Sequence, residues 1–595
     1  MKTKNMLLVA IGMMGISGVM LAGQTSIGWD TPYFQFAGIN ETTHGAPNIE
    51  SFNAATAPNV QYYNGLPTLQ DRTLQAGKYG MQVMYSFCTS GTPAGFVAGN
   101  NETVNPDMRN FQGFNYAQSF VYFGGASNEG EILVPSPGMI LQAHKNGTPI
   151  FACIFFNEFD SNESSWINGT GSNQLGNSDY VNKTLAPQLE LLAKTYHFDG
   201  YFINDEADSS TTGDNHFQPL VQDLLTSGLY VNWYYVYYTS KLTTMVGSKY
   251  YICADMGVNS SAYAAVDPSQ RNNTDLEQDV TFNNYNVKYT PLQTTSTSYP
   301  SNHVTGSIYG GDFPAMSMTT QTNVSSGLLN EIDSYGLTKQ LDGQVDLYIP
   351  NSGNRFITTF NTGSGNGYFV DGSSGSSGLN TSWNDESTVD YSPTVSSLRS
   401  GDITLDYSQA WLGGSSLSVK SNDVFTLFNT NFIPDSAAYV VVYYKGTLPD
   451  GAAISLNNTN YSITSTSLLP NDWHAFYVPV NSVQVGTTIS AIGLVNCKGI
   501  NIGKIYVGDS NSDTTTFIPQ ADGTTTQSWT PDSNAYQYLC YDSQGKLLAG
   551  TALPAYSNSA LLYSGTPQNR TSKVATTNTV AKVVAVPYFD INQLS

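Results

Sequence analysis

Short apolar strands alternate with longer connections from about residue 78 to residue 309, and this alternation is the strongest constraint on the fold. The sequence predicts eight strands, at Gln82–Phe87, Phe120–Phe123, Ile150–Phe156, Gly200–Asn204, Tyr230–Tyr235, Tyr250–Ala254, Val280–Asn283 and Gly306–Tyr309. Three connections have helical periodicity, around Met139–Ala143, Leu185–Ala193 and Phe217–Leu225. Gly147 and Gly228 are the expected stops of two of these helices. Eight strands alternating with helices predict a parallel (β/α)8 TIM barrel.

The pattern of predicted elements changes after about residue 345, where Gly/Ser-rich turns separate short strands of alternating hydrophobicity. We therefore expect an α/β fold in which the (β/α)8 TIM barrel is followed by two β-sandwich domains. The predicted units are a signal peptide at 1–23, the barrel at 24–345, a jelly-roll-like module at 346–510 and a small fibronectin III-like β domain at 511–595.

The first 23 residues predict export, because two lysines precede an apolar run that ends in small residues. We expect a secreted protein, extracellular or at the cell surface; a retained membrane anchor is the alternative. The five cysteines are far apart and odd in number, which favours buried free thiols over a disulfide framework.

The charge balance excludes some partners. The chain has 23 Lys+Arg against 45 Asp+Glu, a formal net charge of −22. This disfavours binding to a nucleic acid backbone or to an anionic membrane. A surface rich in hydroxyl, amide and tyrosine groups suits neutral sugars, but many secreted proteins share it. The six histidines are scattered, so we expect no metal site. We also expect that the protein needs no cofactor and that it is a monomer. His144 and His197 are interpreted as solvated residues at helix ends.

The segment with the most chemical information ends the fourth predicted strand with Asn204, Asp205 and Glu206. In a barrel, functional residues lie at the carboxyl ends of strands. Period-two alternation places Asn204 and Glu206 on one side and Asp205 on the other. A retaining glycosidase usually has two carboxylates, whereas substrate-assisted enzymes use a group of the substrate as nucleophile. An amide beside an acid suits a substrate with an acetamido group; an ordinary strand end that binds water or caps a helix is the alternative.

Several motifs resemble glycoside hydrolase family 85, the endo-β-N-acetylglucosaminidases. Phe202-Ile203-Asn204-Asp205-Glu206 resembles the family's Phe-Ile-Asn-Gln-Glu signature, and Trp233-Tyr234 resembles the start of its Trp-Tyr-Asp-Ser-Met. Further similar segments follow in collinear order from about residue 50 to about residue 510, namely 119–125, 135–137, 144–150, 359–372 and 413–417.

The resemblance implies cleavage between the two core GlcNAc residues of N-linked glycans. It implies that Glu206 is the general acid and base, that Asn204 holds the acetamido group and that Tyr234 closes around it. Sugar-contacting surface is expected from a second set, which consists of Phe123, Phe156, Asn157, Trp233, Tyr235 and Asp205. For the aromatic members of this set, packing within the barrel is the equal alternative.

Departures from the family pattern bear on specificity more than on chemistry. The family's Gln is Asp205, the Asp after Trp-Tyr is Tyr235, and the Trp before Gly-Gly is Phe123. The segment 251–255 also lacks the family's Asn-Tyr-Trp-Trp.

Two other functions compete with this interpretation. The glycoside hydrolase family 18 signature, Asp-Gly-x-Asp-x-Asp-x-Glu, aligns with residues 199–206, but Phe202 and Asn204 replace two of its acids. A non-catalytic glycan-binding adhesin with a decayed barrel is the second alternative.

Overall fold

The structure of the protein is a computed structural model. The structure describes residues 32–39, 46–74, 81–86, 114, 117–123, 131–156, 161–205, 216–235, 250–254, 263–266, 306–309, 348–362, 368–373, 390–464, 467–510, 516–517, 520–521, 526–557, 559–564, 572–577 and 580–594. Within these residues no helix is long and apolar enough to cross a membrane. The predicted signal peptide lies outside them.

The described residues of the first half of the chain contain twelve strands. They are β1 (Tyr33–Phe34), β2 (Arg72–Leu74), β3 (Met81–Ser86), β4 (Ala117–Phe123), β5 (Ile132–Leu133), β6 (Ile150–Phe156), β7 (Gly200–Asp205), β8 (Tyr230–Tyr235), β9 (Tyr250–Ala254), β10 (Tyr263–Val266), β11 (Gly306–Tyr309) and β12 (Tyr348–Pro350). Its described helices are α1 (Pro137–Lys145), α2 (Ser161–Asn168), α3 (Ser178–Tyr180), α4 (Ala186–Tyr196) and α5 (Phe217–Thr226). A π-helical turn, Val181–Leu185, joins α3 to α4, and 3-10 turns lie at Ile49–Ser51, Ala54–Thr56 and Val60–Tyr62.

Eight strands pair side by side and all in parallel, in the order β3, β4, β6, β7, β8, β9, β10 and β11. Strand β11 pairs in parallel with β3, so the pairings close a ring. The described helices α1 to α5 lie in the connections of β4 to β6, β6 to β7 and β7 to β8. The connections of the other half lie largely outside the described residues.

Seven of the eight predicted strands correspond to strands of the ring, and four of them agree in both bounds. The prediction for the seventh strand is wrong. The ring uses Tyr263–Val266 between β9 and β11, whereas Val280–Asn283 lies outside the described residues. Two alanines at the centre of β10 have low strand propensity, and its neighbours on both sides supply the pairing that its sequence does not signal.

The residues that the sequence predicts to start and to end helices lie at helix ends in the structure. The Ser136 hydroxyl accepts a hydrogen bond from the Met139 backbone N–H at 3.2 Å, and Pro137 occupies the first turn of α1. The apolar stripe of α5 is buried, including Phe217, Leu220 and Leu224. Gly147 and Gly228 follow α1 and α5 with φ of 67° and 93°, in the left-handed region that favours glycine.

The second half of the chain is mainly β-structure. Its strands are β13 (Phe356–Thr358), β14 (Ile403–Asp406), β15 (Ser416–Val419), β16 (Phe425–Phe432), β17 (Ala438–Lys445), β18 (Ala453–Leu456), β19 (Thr459–Ser462), β20 (Ser467–Leu468), β21 (Trp473–Pro479), β22 (Ile489–Val495), β23 (Asn501–Asp509), β24 (Thr516–Phe517), β25 (Gln520–Ala521), β26 (Thr526–Ser528), β27 (Ala535–Tyr541), β28 (Leu547–Thr551), β29 (Ala555–Ser557), β30 (Ser559–Ser564), β31 (Ser572–Thr577) and β32 (Lys582–Pro587). A short helix, α6 (Val395–Arg399), which the sequence analysis missed, and 3-10 turns at Pro470–Asp472 and Ile591–Gln593 complete the described elements.

Two antiparallel sheets form a sandwich between residues 356 and 509. One contains seven strands with β17 and β23 at its centre, and the other contains β16, β18, β19 and β22. Apolar side chains on their facing sides, such as Val442, Ile505 and Ile492, are fully buried in one cluster. The opposite face of the seven-stranded sheet packs against the C-terminal strands through Val441, Tyr506 and other residues of a second cluster. The chain after residue 510 thus covers the outer face of this sheet.

Candidate active site

The side of each ring residue can be established from register and packing. Phe156, Asp205 and Tyr235 are paired across β6, β7 and β8, so their positions share one side, and Phe155, Asn204 and Tyr234 share the other. On the first side, the Tyr201 hydroxyl donates to the Leu189 carbonyl of α4 at 2.7 Å. That side therefore faces the helices, and the side of Asn204 faces into the ring.

Asn204 and Tyr234 are the two predicted catalytic residues that the structure brings together. They are register partners on adjacent strands, at the carboxyl ends of β7 and β8. Asn204 is only 2% exposed, whereas Tyr234 is partly buried. The Tyr234 ring lies 6.3 Å from that of Phe202, one layer below Asn204. A neutral amide is thus held in the ring beside a phenol that retains solvent access.

Two aromatic predictions need correction. Phe156 is fully buried between Phe36, Trp166 and Phe217, with ring centroids 5.6, 5.7 and 5.3 Å away. Trp233 is likewise buried and packs on Phe217 of α5 at 5.9 Å. Both fill the layer between strands and helices, so neither offers a ring face to a sugar.

Asp205 lies on the same side as Phe156 and Trp233 and is 1% exposed. This placement agrees with the sequence alternation, which put Asp205 on the side opposite to Asn204. It does not favour the substrate contact that was also expected of Asp205. The other predicted residues are less fully described. Phe123 and Tyr235 are the last residues of β4 and β8, whereas Glu206 and Asn157 lie outside the described residues.

Two ring-side residues were missed by the sequence analysis. Phe155 is the register partner of Asn204 on β6, and Asn232 lies one layer below Tyr234 on β8 and is fully buried. Counting back by two from Tyr234 along β8 would have identified Asn232, whereas Phe155 follows only from the pairing of β6 with β7. Strand β6 is apolar on both sides, so its own sequence gives no alternation.

The opposite end of the ring is fixed by a buried histidine, His144, in the last turn of α1. Its Nδ1 lies 2.7 Å from the Pro67 carbonyl and its Nε2 lies 2.9 Å from Asp199 Oδ2. That same oxygen accepts the Ile150 backbone N–H at the start of β6. His144 is therefore buried, with both ring nitrogens at hydrogen-bond distance from oxygen atoms. This corrects its interpretation as a solvated residue. His197 has a left-handed backbone at the end of α4.

Among the described residues, no group of three or more His, Cys, Asp or Glu side chains is arranged to hold a metal ion. Cys153, Cys497 and Cys540 are free and buried, as the sequence predicted. Cys88 and Cys253 are not described at side-chain level.

A closed ring of parallel strands with polar residues at its carboxyl ends is an arrangement that glycoside hydrolases use. Residues 97–311, which include the ring strands from β4 to β11, match glycosyl hydrolase family 85. This match covers less than half of the chain, so it identifies residues 97–311 as a family 85 domain and concerns that region alone.

The glycoside hydrolase domain of Endo-D from Streptococcus pneumoniae R6 is similar with a TM-score of 0.59 and 17% identity, covering 90% of this chain and 97% of that one. At this identity the likeness concerns the fold. The adhesin domain of Epf from Streptococcus pyogenes gives a TM-score of only 0.10, with 10% identity, 38% of this chain and 80% of that one covered. No curated protein matches the sequence.

Proposed function

We propose that this protein is an endo-β-N-acetylglucosaminidase that hydrolyses the GlcNAc-β1,4-GlcNAc core of N-linked glycans. The observation that carries the proposal is the Asn204 amide. It is buried on the ring side at the carboxyl end of β7, two residues before Glu206, within a family 85 domain. Endo-D, whose glycoside hydrolase domain has a similar fold, agrees with this assignment.

The reaction needs no nucleophile from the protein. The carbonyl oxygen of the substrate's 2-acetamido group attacks its own anomeric carbon and forms an oxazolinium ion, in which the nitrogen keeps its proton. The bond to O4 of the second GlcNAc breaks as Glu206 donates its proton to that oxygen. Glu206, now a carboxylate, removes a proton from water. The water oxygen bonds to the anomeric carbon as the bond from that carbon to the acetamido oxygen breaks, which restores the neutral acetamido group. Two displacements at one carbon retain its configuration.

Asn204 orients the attacking group in this scheme. Its side-chain oxygen accepts the acetamido N–H, which pushes electron density toward the carbonyl oxygen and stabilises the positive charge of the intermediate. A carboxamide is uncharged at every working pH, so Asn204 can orient the acetamido group without competing with it as a nucleophile. Tyr234, its neighbour in register, limits the space around the acetamido group.

The remaining expectations belong to the same proposal. The complete architecture is a (β/α)8 barrel followed by two β-sandwich domains. The protein is secreted after loss of its signal peptide, acts as a monomer on glycoproteins, and uses neither metal nor cofactor.

The test is incubation with a high-mannose glycoprotein followed by mass spectrometry of protein and released glycan. A single GlcNAc retained on each glycosylated Asn supports the proposal. Intact glycans on this substrate and on a complex-type glycoprotein contradict it. Cleavage of chitin oligosaccharides instead would favour a family 18-like enzyme.

The variant Glu206→Gln separates an enzyme from an adhesin. Hydrolysis should be lost while glycan binding persists, because the amide keeps the size of the acid but has no proton to give. Glu190→Gln on the solvent side of α4 is the matched control, since Glu190 pairs only with Lys194 one turn on. An adhesin would be indifferent to either change.

A further inference from the structure

Asn204 lies between two aromatic residues at the carboxyl ends of the ring strands. Phe155 on β6 and Tyr234 on β8 are both register partners of Asn204, one on each neighbouring strand. The three positions are equivalent in the alternation of their strands, so all three face into the ring of strands. The amide that carries the proposed function is therefore bordered by an aromatic residue on each side.

Phe155 differs from the rest of its strand in exposure. Every other residue of β6 is buried, whereas Phe155 is only partly buried, as Tyr234 is. The position of Phe155 faces into the ring of strands and lies at the carboxyl end of β6. The exposed part of its side chain is therefore accessible from the end of the ring at which Asn204 and Tyr234 lie.

The backbone of Phe155 is fixed on both edges of its strand. On one edge, the Phe155 N–H donates to the Glu131 carbonyl at 2.8 Å, next to β5. On the other edge, β6 pairs with β7 in unbroken parallel register from Phe151 to Phe156. Because both edges are held, the strand cannot shift to make room for a larger group beside Asn204.

The space between the two aromatic residues is narrow. Neighbouring strands lie about 4.8 Å apart, so the Cα atoms of Phe155 and Tyr234 are separated by roughly 9–10 Å across β7. The two aromatic side chains occupy much of this span. A planar acetamido group that donates to Asn204 is small enough to lie between them, with its methyl group against apolar aromatic surface. Each methylene added to the acyl chain would have to displace one of the two side chains.

We propose that Phe155 determines the largest N-acyl group that the site accepts, as the wall opposite Tyr234. The inference rests on the proposed function, because it concerns the amide group of the substrate that attacks in that reaction. The phenyl group of Phe155 has no hydrogen-bonding atom, so it contributes by packing alone. Its effect should therefore appear in the choice between substrates with short and long acyl groups.

The experiment uses three synthetic glycopeptides that carry the core of an N-linked glycan. In these substrates the GlcNAc whose anomeric carbon is attacked bears an N-acetyl, an N-propionyl or an N-butyryl group. The value of kcat/KM is measured for each substrate with the full-length protein. We expect the wild type to cleave the N-acetyl substrate best and to lose about tenfold or more in kcat/KM with each added methylene.

Two variants of Phe155 test its part in this choice. Phe155→Ala removes the phenyl group and should raise the ratio of kcat/KM for the N-butyryl to the N-acetyl substrate by about tenfold or more. Phe155→Leu should raise the ratio less. The matched control is Phe151→Leu, on the same side of β6 but at its other end, where the Phe151 ring is fully buried and stacks on Tyr230 with centroids 5.7 Å apart. This control should keep the wild-type ratio.

Because each ratio is taken within one protein, a partly folded sample lowers all three rates and leaves the ratio unchanged. Phe155→Leu carries the test if Phe155→Ala does not fold. The inference is overturned, while the proposed hydrolysis stands, if the wild type cleaves all three substrates equally, if the Phe155 variants keep the wild-type ratio, or if Phe151→Leu raises it as much. A wild type that leaves the N-acetyl glycopeptide uncleaved contradicts the proposed function itself, and the inference fails with it.

Discussion

Asn204 is the described residue on which the proposed chemistry depends. Replacing it by alanine removes one donor–acceptor group at a buried site, a change that typically costs about 10²–10³ in kcat. We expect Asn204→Ala to lower kcat on a glycopeptide by this order, with little change in KM if the amide acts mainly in the transition state. Steady-state kinetics measure both constants.

The control for this variant is Asn168→Ala, at the exposed end of α2. Equal losses in the two variants, or an undiminished kcat in Asn204→Ala, would remove Asn204 from the mechanism. Thermal melting of each protein distinguishes a lost interaction from a lost fold.

His144 gives a prediction about pH and stability. Both of its ring nitrogens face oxygen acceptors, so only the protonated ring can donate to both. Burial alone would lower the pKa of His144, but the hydrogen bond and charge of Asp199, with the Pro67 carbonyl, outweigh it and raise the pKa. The folded protein therefore holds this proton more tightly than the unfolded chain does.

The stabilisation is fully present below the unfolded-state pKa of about 6.5 and is lost as pH rises through the higher folded-state pKa. Denaturant unfolding should show the free energy of unfolding of the ring of parallel strands falling above about pH 6.5. His144→Gln should lower it by about 1–3 kcal/mol at pH 6 and remove this part of the slope. His474→Gln, in the sandwich, should keep the slope; a slope that survives in His144→Gln would assign it to another group.

The contrast between Asn204 and Phe156 shows what single residues reveal in the sequence. Asn204 is polar at the end of an apolar strand, so its side could be inferred and the structure agrees. Phe156 ends a strand that is apolar on both sides, where a sugar-binding ring and a core ring look alike. Only packing against α2 and α5 assigns it to the core.

At the scale of elements, the end of α1 can be tested with two glycines. A methyl group on Gly147 would lie 2.7 Å from the Gln70 carbonyl and 2.9 Å from Arg72 Cβ, whereas one on Gly228 would meet no atom of the described residues within 4 Å. Both positions have a positive φ. Gly228→Ala should therefore cost only the conformational term of about 1 kcal/mol.

Gly147→Ala should cost that term plus about 1–3 kcal/mol from overlap. The displaced Arg72 would loosen its hydrogen bonds to the Ala117 carbonyl, at 2.7 Å, and to Thr148, at 3.0 Å. Chemical denaturation measures both variants. Equal costs would mean that α1 and the Gln70–Arg72 segment separate without penalty.

Most ring strands could be predicted because parallel strands buried on both faces leave long apolar runs. Strand β10 could not, since its two central alanines carry little signal and its place is set by pairing with β9 and β11. The closure of the ring, from β11 back to β3, is likewise a matter of pairing between strands far apart in sequence.

At the scale of the whole molecule, the buried carboxylate of Asp390 joins three parts of the chain. Its Oδ2 accepts from the Thr359 and Asn361 backbone N–H groups, at 2.6 and 3.0 Å, in the segment after β13. Its Oδ1 accepts from the Tyr536 hydroxyl of β27 and lies 3.7 Å from Lys145 Nζ of α1. Nothing in the sequence links these residues, which the chain separates by up to several hundred positions.

Because Lys145 and Tyr536 share one oxygen of Asp390, their contributions to stability should not add. Removing either leaves the other to compensate the same buried charge, so the second loss becomes more costly. We expect a coupling of about 0.5–3 kcal/mol between Lys145→Met and Tyr536→Phe in a double-mutant cycle. Asp390→Asn should cost about 3–5 kcal/mol, because a buried ammonium then lacks its counter-charge.

The measurement combines denaturant unfolding with limited proteolysis of the strands after residue 516. If Asp390 holds the C-terminal strands to the ring domain, Asp390→Asn should release them to protease before the ring domain unfolds. Asp423→Asn, at an exposed residue of the sandwich, should cleave like the wild type. Strict additivity of the two single losses, with unchanged proteolysis in Asp390→Asn, would mean that the cluster is three separate contacts. A coupled result would mean that one carboxylate fixes the ring domain, the sandwich and the C-terminal strands relative to one another.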